Sequence, residues 1–148
     1  MYIPKHFKLY ELVSKVDYES LGTRCWQLLD ERMLITLDTL REIAGAPITI
    51  NTWHHGGQFN WRGLRTAAYY GSLQKYADSR SQHRYGRAFD ADIKGLTAEQ
   101  ARQLVYAHKD ALPFVSFVED NVRWLHCDTR NGERITVWCP NTGNSRII

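Results

Sequence analysis

The period of the hydrophobic residues changes along this chain, and that change limits what it can fold into. Between Leu28 and Ala44, the apolar residues Leu29, Met33, Leu37, Leu40 and Ile43/Ala44 recur every three or four positions, the stripe of one helix face. Gly45 stands where a helix C-terminus favours it. Pro47 then opens an alternating run, Ile48-Thr49-Ile50-Asn51, that reads as a strand. Ala88–Ile93 reads as a second strand, and Thr97 to Gln100 has capping-box spacing for a helix reaching about His108. Beyond Pro113 come three strand-like runs, Phe114–Val118, Val122–Cys127 and Ile135–Trp138. Asp120-Asn121 and Asn131-Gly132 are the turn signals between them, so a β-meander is expected. Helices set apart from mainly antiparallel strands predict an α+β fold, a small antiparallel sheet flanked by helices.

The 148 residues fit one domain, 1–148. With 43% hydrophobic and 24% charged residues the composition is that of a globular chain, which excludes disorder. No apolar run reaches the ~18–20 residues of a membrane span, so no membrane partner is expected. The net charge of +3 is spread along the chain. A nucleic-acid surface gathers its cations into a stripe, so none is expected here, whereas weak attraction to an anionic polymer such as a cell wall fits. Cys25, Cys127 and Cys139 form no CxxC pair and are odd in number, which points away from disulfides and thiolate zinc sites. The opening MYIPKHFKLYELVSK lacks the uncharged core of a secretory signal, so synthesis in a cytoplasm is expected.

Chemistry concentrates in Ser81-Gln82-His83-Arg84-Tyr85-Gly86-Arg87-Ala88-Phe89-Asp90-Ala91-Asp92. His83 offers an imidazole and Asp90 a carboxylate, while the small Gly86 and Ala88 let the chain bend and bring both to one point. Nitrogen and carboxylate donors suit Zn²⁺, which takes three protein ligands and keeps one open position in catalytic sites. His126 supplies the third. In an extended Val122–Asp128 it shares a face with Trp124 and Asp128, opposite Leu125 and Cys127. Residues 53–80 form a long stretch rich in glycine and aromatic rings (Trp53, Phe59, Trp61, Tyr69, Tyr70), read either as a groove wall or as packing. His54 and His55 within it are weighed as extra ligands, with a structural role the commoner one.

The pattern SxHxxGxAxD followed by a strand with HxD resembles the M15 family of zinc D-Ala-D-Ala peptidases and its phage endolysin branch. Ser81, His83, Gly86, Ala88 and Asp90 match the first segment, and His126-Cys127-Asp128-Thr129-Arg130 the second. Phe7–Leu12 is similar to the entry segment of the small phage-type members, and Leu40-Arg41-Glu42 before Pro47–Ile50 to their helix and strand. The resemblance implies a Hedgehog/DD-peptidase-like fold and zinc held by His83, Asp90 and His126. It further implies a metallopeptidase, a hydrolase of stem or cross-bridge peptides in bacterial peptidoglycan. Such a chain is a lysin released to the wall by a holin, or a virion component with other phage proteins as partners.

Two parts of the family pattern differ. The general base that many members carry three residues before the second histidine is here Arg123. Others, including the related Hedgehog signalling domain, carry a glutamate about six residues before it, which points to Glu119 or Asp120. If Asp120-Asn121 make the turn, Glu119 pairs across from Val122 on the face of His126, which favours Glu119. The family's Ser-Gly-Tyr-Arg after the first strand is replaced by Asn51-Thr52-Trp53-His54-His55, leaving Arg65, then Arg62, as the arginine for oxyanion or substrate carboxylate. Ser81, Asp92 and Asp128 are expected as supports of the ligands. These departures motivate an alternative, a catalytically silent zinc-binding structural module of a phage particle.

Overall fold

A computed structural model describes all residues, 1–148. Two short helices, α1 (Leu9–Leu12) and α2 (Lys15–Leu21), and a 3₁₀ segment lead into the long α3 (Glu31–Ala44). Asp30 caps α3, accepting a hydrogen bond from the Arg32 amide at 2.9 Å, and Gly45 ends it. The helix therefore starts later than Leu28, which belongs to the preceding 3₁₀ turn. Met33, Leu37 and Leu40 are buried along α3, as the spacing predicts, and Leu34 is buried beside them.

Strand β1 is only Ile48–Thr49. The strand stops at Thr49, and two residues on the Asn51 side chain is committed to two backbone partners. Asn51 Nδ2 donates to the Val13 carbonyl (3.0 Å), and its Oδ1 accepts from the Arg62 amide (2.9 Å). The aromatic stretch is not structureless: α4 (Ala67–Tyr70) and α5 (Leu73–Asp78) lie within it. Strand β2 (Ala88–Ile93) and helix α6 (Ala98–Ala107) follow, with both arms of the Thr97/Gln100 capping box formed.

The last part holds β3 (Phe117–Glu119), β4 (Leu125–Asp128), β5 (Thr136–Trp138) and β6 (Ser145–Ile147). The sheet order is β1-β2-β4-β3-β5-β6. All neighbours are antiparallel except β3 and β5, which are parallel. This corrects the expected meander. β4 is flanked on both edges by β2 and β3, so β5 cannot pair with it; β5 joins the outer edge of β3 instead and runs parallel to it. Strand β6 has no signal in the sequence pattern and lies exposed at the edge. The architecture is α+β, with helices flanking a small, mostly antiparallel sheet. Phe89, Ala91, Ile93, Leu125 and Cys127 turn into a cluster of 25 buried apolar residues shared with α1, α3 and α6. The alternate residues of β2 and β4 face the other way, and that face carries the site.

Candidate metal centre

Asp90 on β2 and His126 on β4 are directly opposed in the antiparallel register, so their side chains leave the sheet together. His83 reaches the same point from a 3₁₀ turn over Gln82–Tyr85. Gly86 closes that turn with φ +65°, the left-handed region in which a side chain is strained. A Cβ there would also stand 2.1 Å from the Leu28 carbonyl oxygen. The turn is thereby pressed against the segment before α3, and its chain feeds straight into β2.

Residues 62–65 back this arrangement. The Asp90 amide donates to the Arg62 carbonyl (2.7 Å), and the Arg65 amide to the His83 carbonyl (3.1 Å). Gly63 lies against the backbone of Leu12, where a Cβ would come within 2.0 Å of the Leu12 oxygen. That close approach lets the Gly63 carbonyl meet His83 Nδ1 at 2.7 Å.

The donor atoms converge. His83, Asp90 and His126 are all buried, and their ligand atoms lie within 4.8 Å of one another. His83 Nε2 is 3.3 Å, and His126 Nδ1 2.8 Å, from Asp90 Oδ1. A carbonyl only accepts, so the hydrogen on His83 sits on Nδ1 and the other nitrogen faces a carboxylate. A bare nitrogen lone pair and a carboxylate repel; the pair calls for a proton or a cation between them. His126 has a carboxylate at each nitrogen, with Asp128 Oδ2 3.4 Å from Nε2. Two imidazoles and a carboxylate, buried and converging, are consistent with a site for a divalent metal ion such as zinc.

Protonation follows the same geometry. Burial lowers the His83 pKa, and its bond to Asp90 does not offset this. Burial would lower His126 too, but hydrogen bonds to Asp128 and Asp90 outweigh it and raise the pKa to about 9. Burial opposes the Asp90 charge, yet the two histidines hold its carboxyl far below the usual range. Asp128 is likewise held low, against its burial, by Arg130 and His126.

The centre opens into a cavity of about 520 Å³ whose walls include Arg65, Ser81, Phe117, Glu119, Trp124 and Trp138. Glu119 and Asp120 part company here. Pairing of Phe117 with Asp128 and of Val118 with Cys127 continues to place Glu119 beside His126, not Val122, because the connection is longer than a two-residue turn. Asp120 instead turns to Arg102 on α6, at 3.5 Å, outside the cavity. Arg102 also donates to the Val122 and Trp124 carbonyls (3.1 and 3.3 Å) and so pins the whole connection. Arg123 is exposed and does not line the cavity.

Arg65 donates from Nη2 to Asp90 Oδ2 (2.9 Å) and from Nε to the Trp61 carbonyl (2.8 Å). It occupies the Asp90 oxygen that faces away from the histidines. Arg62 is elsewhere, bound to Asp92 at 2.6 Å and stacked on Phe59. Asp92 thus holds the 62–65 segment and does not touch a ligand histidine, because it lies one turn of the pleat beyond Asp90, at the rim. Ser81 lines the cavity, and its carbonyl accepts from the Arg84 amide within the turn.

His54 and His55 cluster with Tyr10 and Trp53, apart from the ligand group. None of Trp53, Phe59, Trp61, Tyr69 and Tyr70 lines the cavity; Trp61, Tyr69 and Tyr70 stack on one another. The rings that do line it are Phe117, Trp124 and Trp138. Phe117 shares the face of Glu119 by alternation, which is a signal in the sequence. Trp138 arrives through the parallel β3–β5 pairing, which is not. Comparison with protein-family models, curated proteins and solved structures found no match.

Proposed function

We propose that this protein is a zinc-dependent peptidase acting on the stem or cross-bridge peptides of bacterial peptidoglycan, as a phage lysin or a virion-borne wall-opening enzyme with a Hedgehog/DD-peptidase-like fold. The observation that carries the reading is the convergence of His83, Asp90 and His126 at the floor of a cavity whose one other acid is Glu119. The resemblance of the two ligand segments to the M15 family supports the substrate class.

When bound, zinc supplies Lewis-acid chemistry, polarising a carbonyl oxygen and making water easier to deprotonate. Glu119 takes the proton of the attacking water and passes it to the leaving amine nitrogen. Arg65 steadies Asp90 through Nη2 and leaves Nη1, which has no partner in the protein, for the developing oxyanion or a substrate carboxylate. Trp124, Trp138 and Phe117 flank the peptide and exclude water from it.

The rival, a silent zinc-binding module of a phage particle, draws on the exposed Arg123 where many family members carry the base. One experiment separates the two. Purified protein is incubated with peptidoglycan or a stem peptide, with and without chelator, and released amine is measured. Cleavage that chelation abolishes and zinc restores is expected. Glu119→Ala should lower it by roughly 10²–10⁴-fold with zinc content unchanged, while Asp120→Ala leaves it within a few fold. Stoichiometric zinc without cleavage of any wall substrate would favour the structural module.

A further inference from the structure

Asp128 is wholly buried. A carboxylate in that position needs partners for both oxygens. Arg130, two residues on, supplies them. Its Nε donates to Oδ1 at 2.8 Å, its backbone amide donates to the same oxygen at 3.2 Å, and its Nη2 donates to Oδ2. Oδ2 is also the atom that faces His126 Nε2. The guanidinium lies over the Phe117 ring, with Cζ 3.6 Å from the centroid. Phe117 in turn meets the His126 ring edge-on, at 6.2 Å and 89°. Arg130 therefore touches His126 by two routes, through Asp128 on one nitrogen and through Phe117 on the ring. It lines the same cavity as His83 and Asp90 but makes no hydrogen bond to either.

We propose that Arg130 is a positioning residue of the metal centre. Its fork fixes the Asp128 carboxylate against His126 Nε2, so that the hydrogen stays on Nε2 and Nδ1 is presented to the ion. A free Asp128 could rotate its one His126-facing oxygen away, and the ring would then be held only by packing. The guanidinium is suited to this because it delivers two parallel N–H groups to one carboxylate while stacking on an aromatic face, which an ammonium cannot do. Arg130 is about a third exposed, with side-chain accessibility of 38%, so it can be replaced without opening the core.

The inference rests on the metal-binding reading, and its test is chosen to fail separately. Zinc affinity of the full chain is measured by chelator competition for wild type, Arg130→Met, Arg130→Lys, Asp128→Asn and the Asp128→Asn/Arg130→Met pair. The ligand field is read from the absorption spectrum of the Co²⁺-loaded proteins. Nitrogen-resolved NMR of the metal-free proteins follows the exchange-protected imidazole Nε2–H of His126. Arg130→Met is expected to lower zinc affinity roughly 10–100-fold, to shift the Co²⁺ bands and to remove the protection of Nε2–H. Arg130→Lys should remain several-fold weaker than wild type. The double variant should be no worse than the weaker single one, since both act on one contact. Unchanged affinity and unchanged protection in Arg130→Met, full rescue by lysine, or additive losses in the pair would overturn the proposal. Should the wild type bind no metal while protection still depends on Arg130, the positioning role stands and the metal reading falls.

Discussion

Replacing Gly86 with alanine tests how the motif turn brings His83 and Asp90 together. Two costs are built into that position. At φ +65° a side chain enters the left-handed region, worth about 1–2 kcal/mol. The new Cβ would also stand 2.1 Å from the Leu28 oxygen and 2.9 Å from the Leu29 Cα. Those are backbone atoms that cannot rotate aside, so the turn or the segment before α3 must shift, at a further cost of about 1–3 kcal/mol. The expected loss is thus about 2–5 kcal/mol in the urea midpoint at constant slope. Gly71 is the control: its φ is +75°, but a Cβ there meets nothing within 4 Å. Gly71→Ala should show only the first cost, about 1–2 kcal/mol. Because the shift moves residues 83–90, Gly86→Ala should also weaken metal binding, and Gly71→Ala should not. Equal destabilisation of the two variants, or full metal affinity in a folded Gly86→Ala, would refute this account of the turn.

Other expectations follow from the same contacts. Zinc at 100 times its Kd should stabilise the fold by about 2.7 kcal/mol, seen as a raised melting temperature that chelator reverses and His83→Ala abolishes. Burial opposes the Asp30 charge, but its bonds to Arg32 and Arg87 outweigh this and hold the folded pKa below the usual value. Its contribution is therefore present above about pH 4 and is lost as pH falls through the folded pKa. The stability gap between wild type and Asp30→Asn should shrink between neutral and acid urea titrations. The gap should be below about 1 kcal/mol even at neutral pH, because both arginines are partly exposed and asparagine still caps α3. Thr97→Ala removes the side-chain acceptor of the α6 capping box and should cost about 1 kcal/mol in the same titration.

Much of the site is legible in the sequence. His83, Gly86 and Asp90 lie within eight residues, so their relation depends on one turn and one strand, and local chemistry carries that far. The face shared by His126, Trp124 and Asp128 followed from alternation alone. Alternation puts Asp92 on the ligand face but does not say how far along the sheet its partner lies, and that partner is Arg62 rather than a ligand histidine. Arg65 and Arg62 were indistinguishable in sequence. One reaches Asp90 and the other Asp92 only because residues 62–65 are threaded between Leu12 and the motif turn.

Glu119 and Asp120 mark the boundary most clearly. They are adjacent in the chain, and both precede the second histidine by a suitable distance. Strand register and the hold of Arg102 on Asp120 send one into the cavity and the other away. Sequence by itself determined α3, α6, the strand faces of the site and the identity of the three donor residues, because each depends on spacing within one element, whereas α4 and α5 carried no such pattern. Only the tertiary structure decided strand order, the parallel β3–β5 pair and the neighbours of each ligand. Those depend on which edge of a sheet is left free and on contacts between segments far apart in the chain, and no local pattern encodes either.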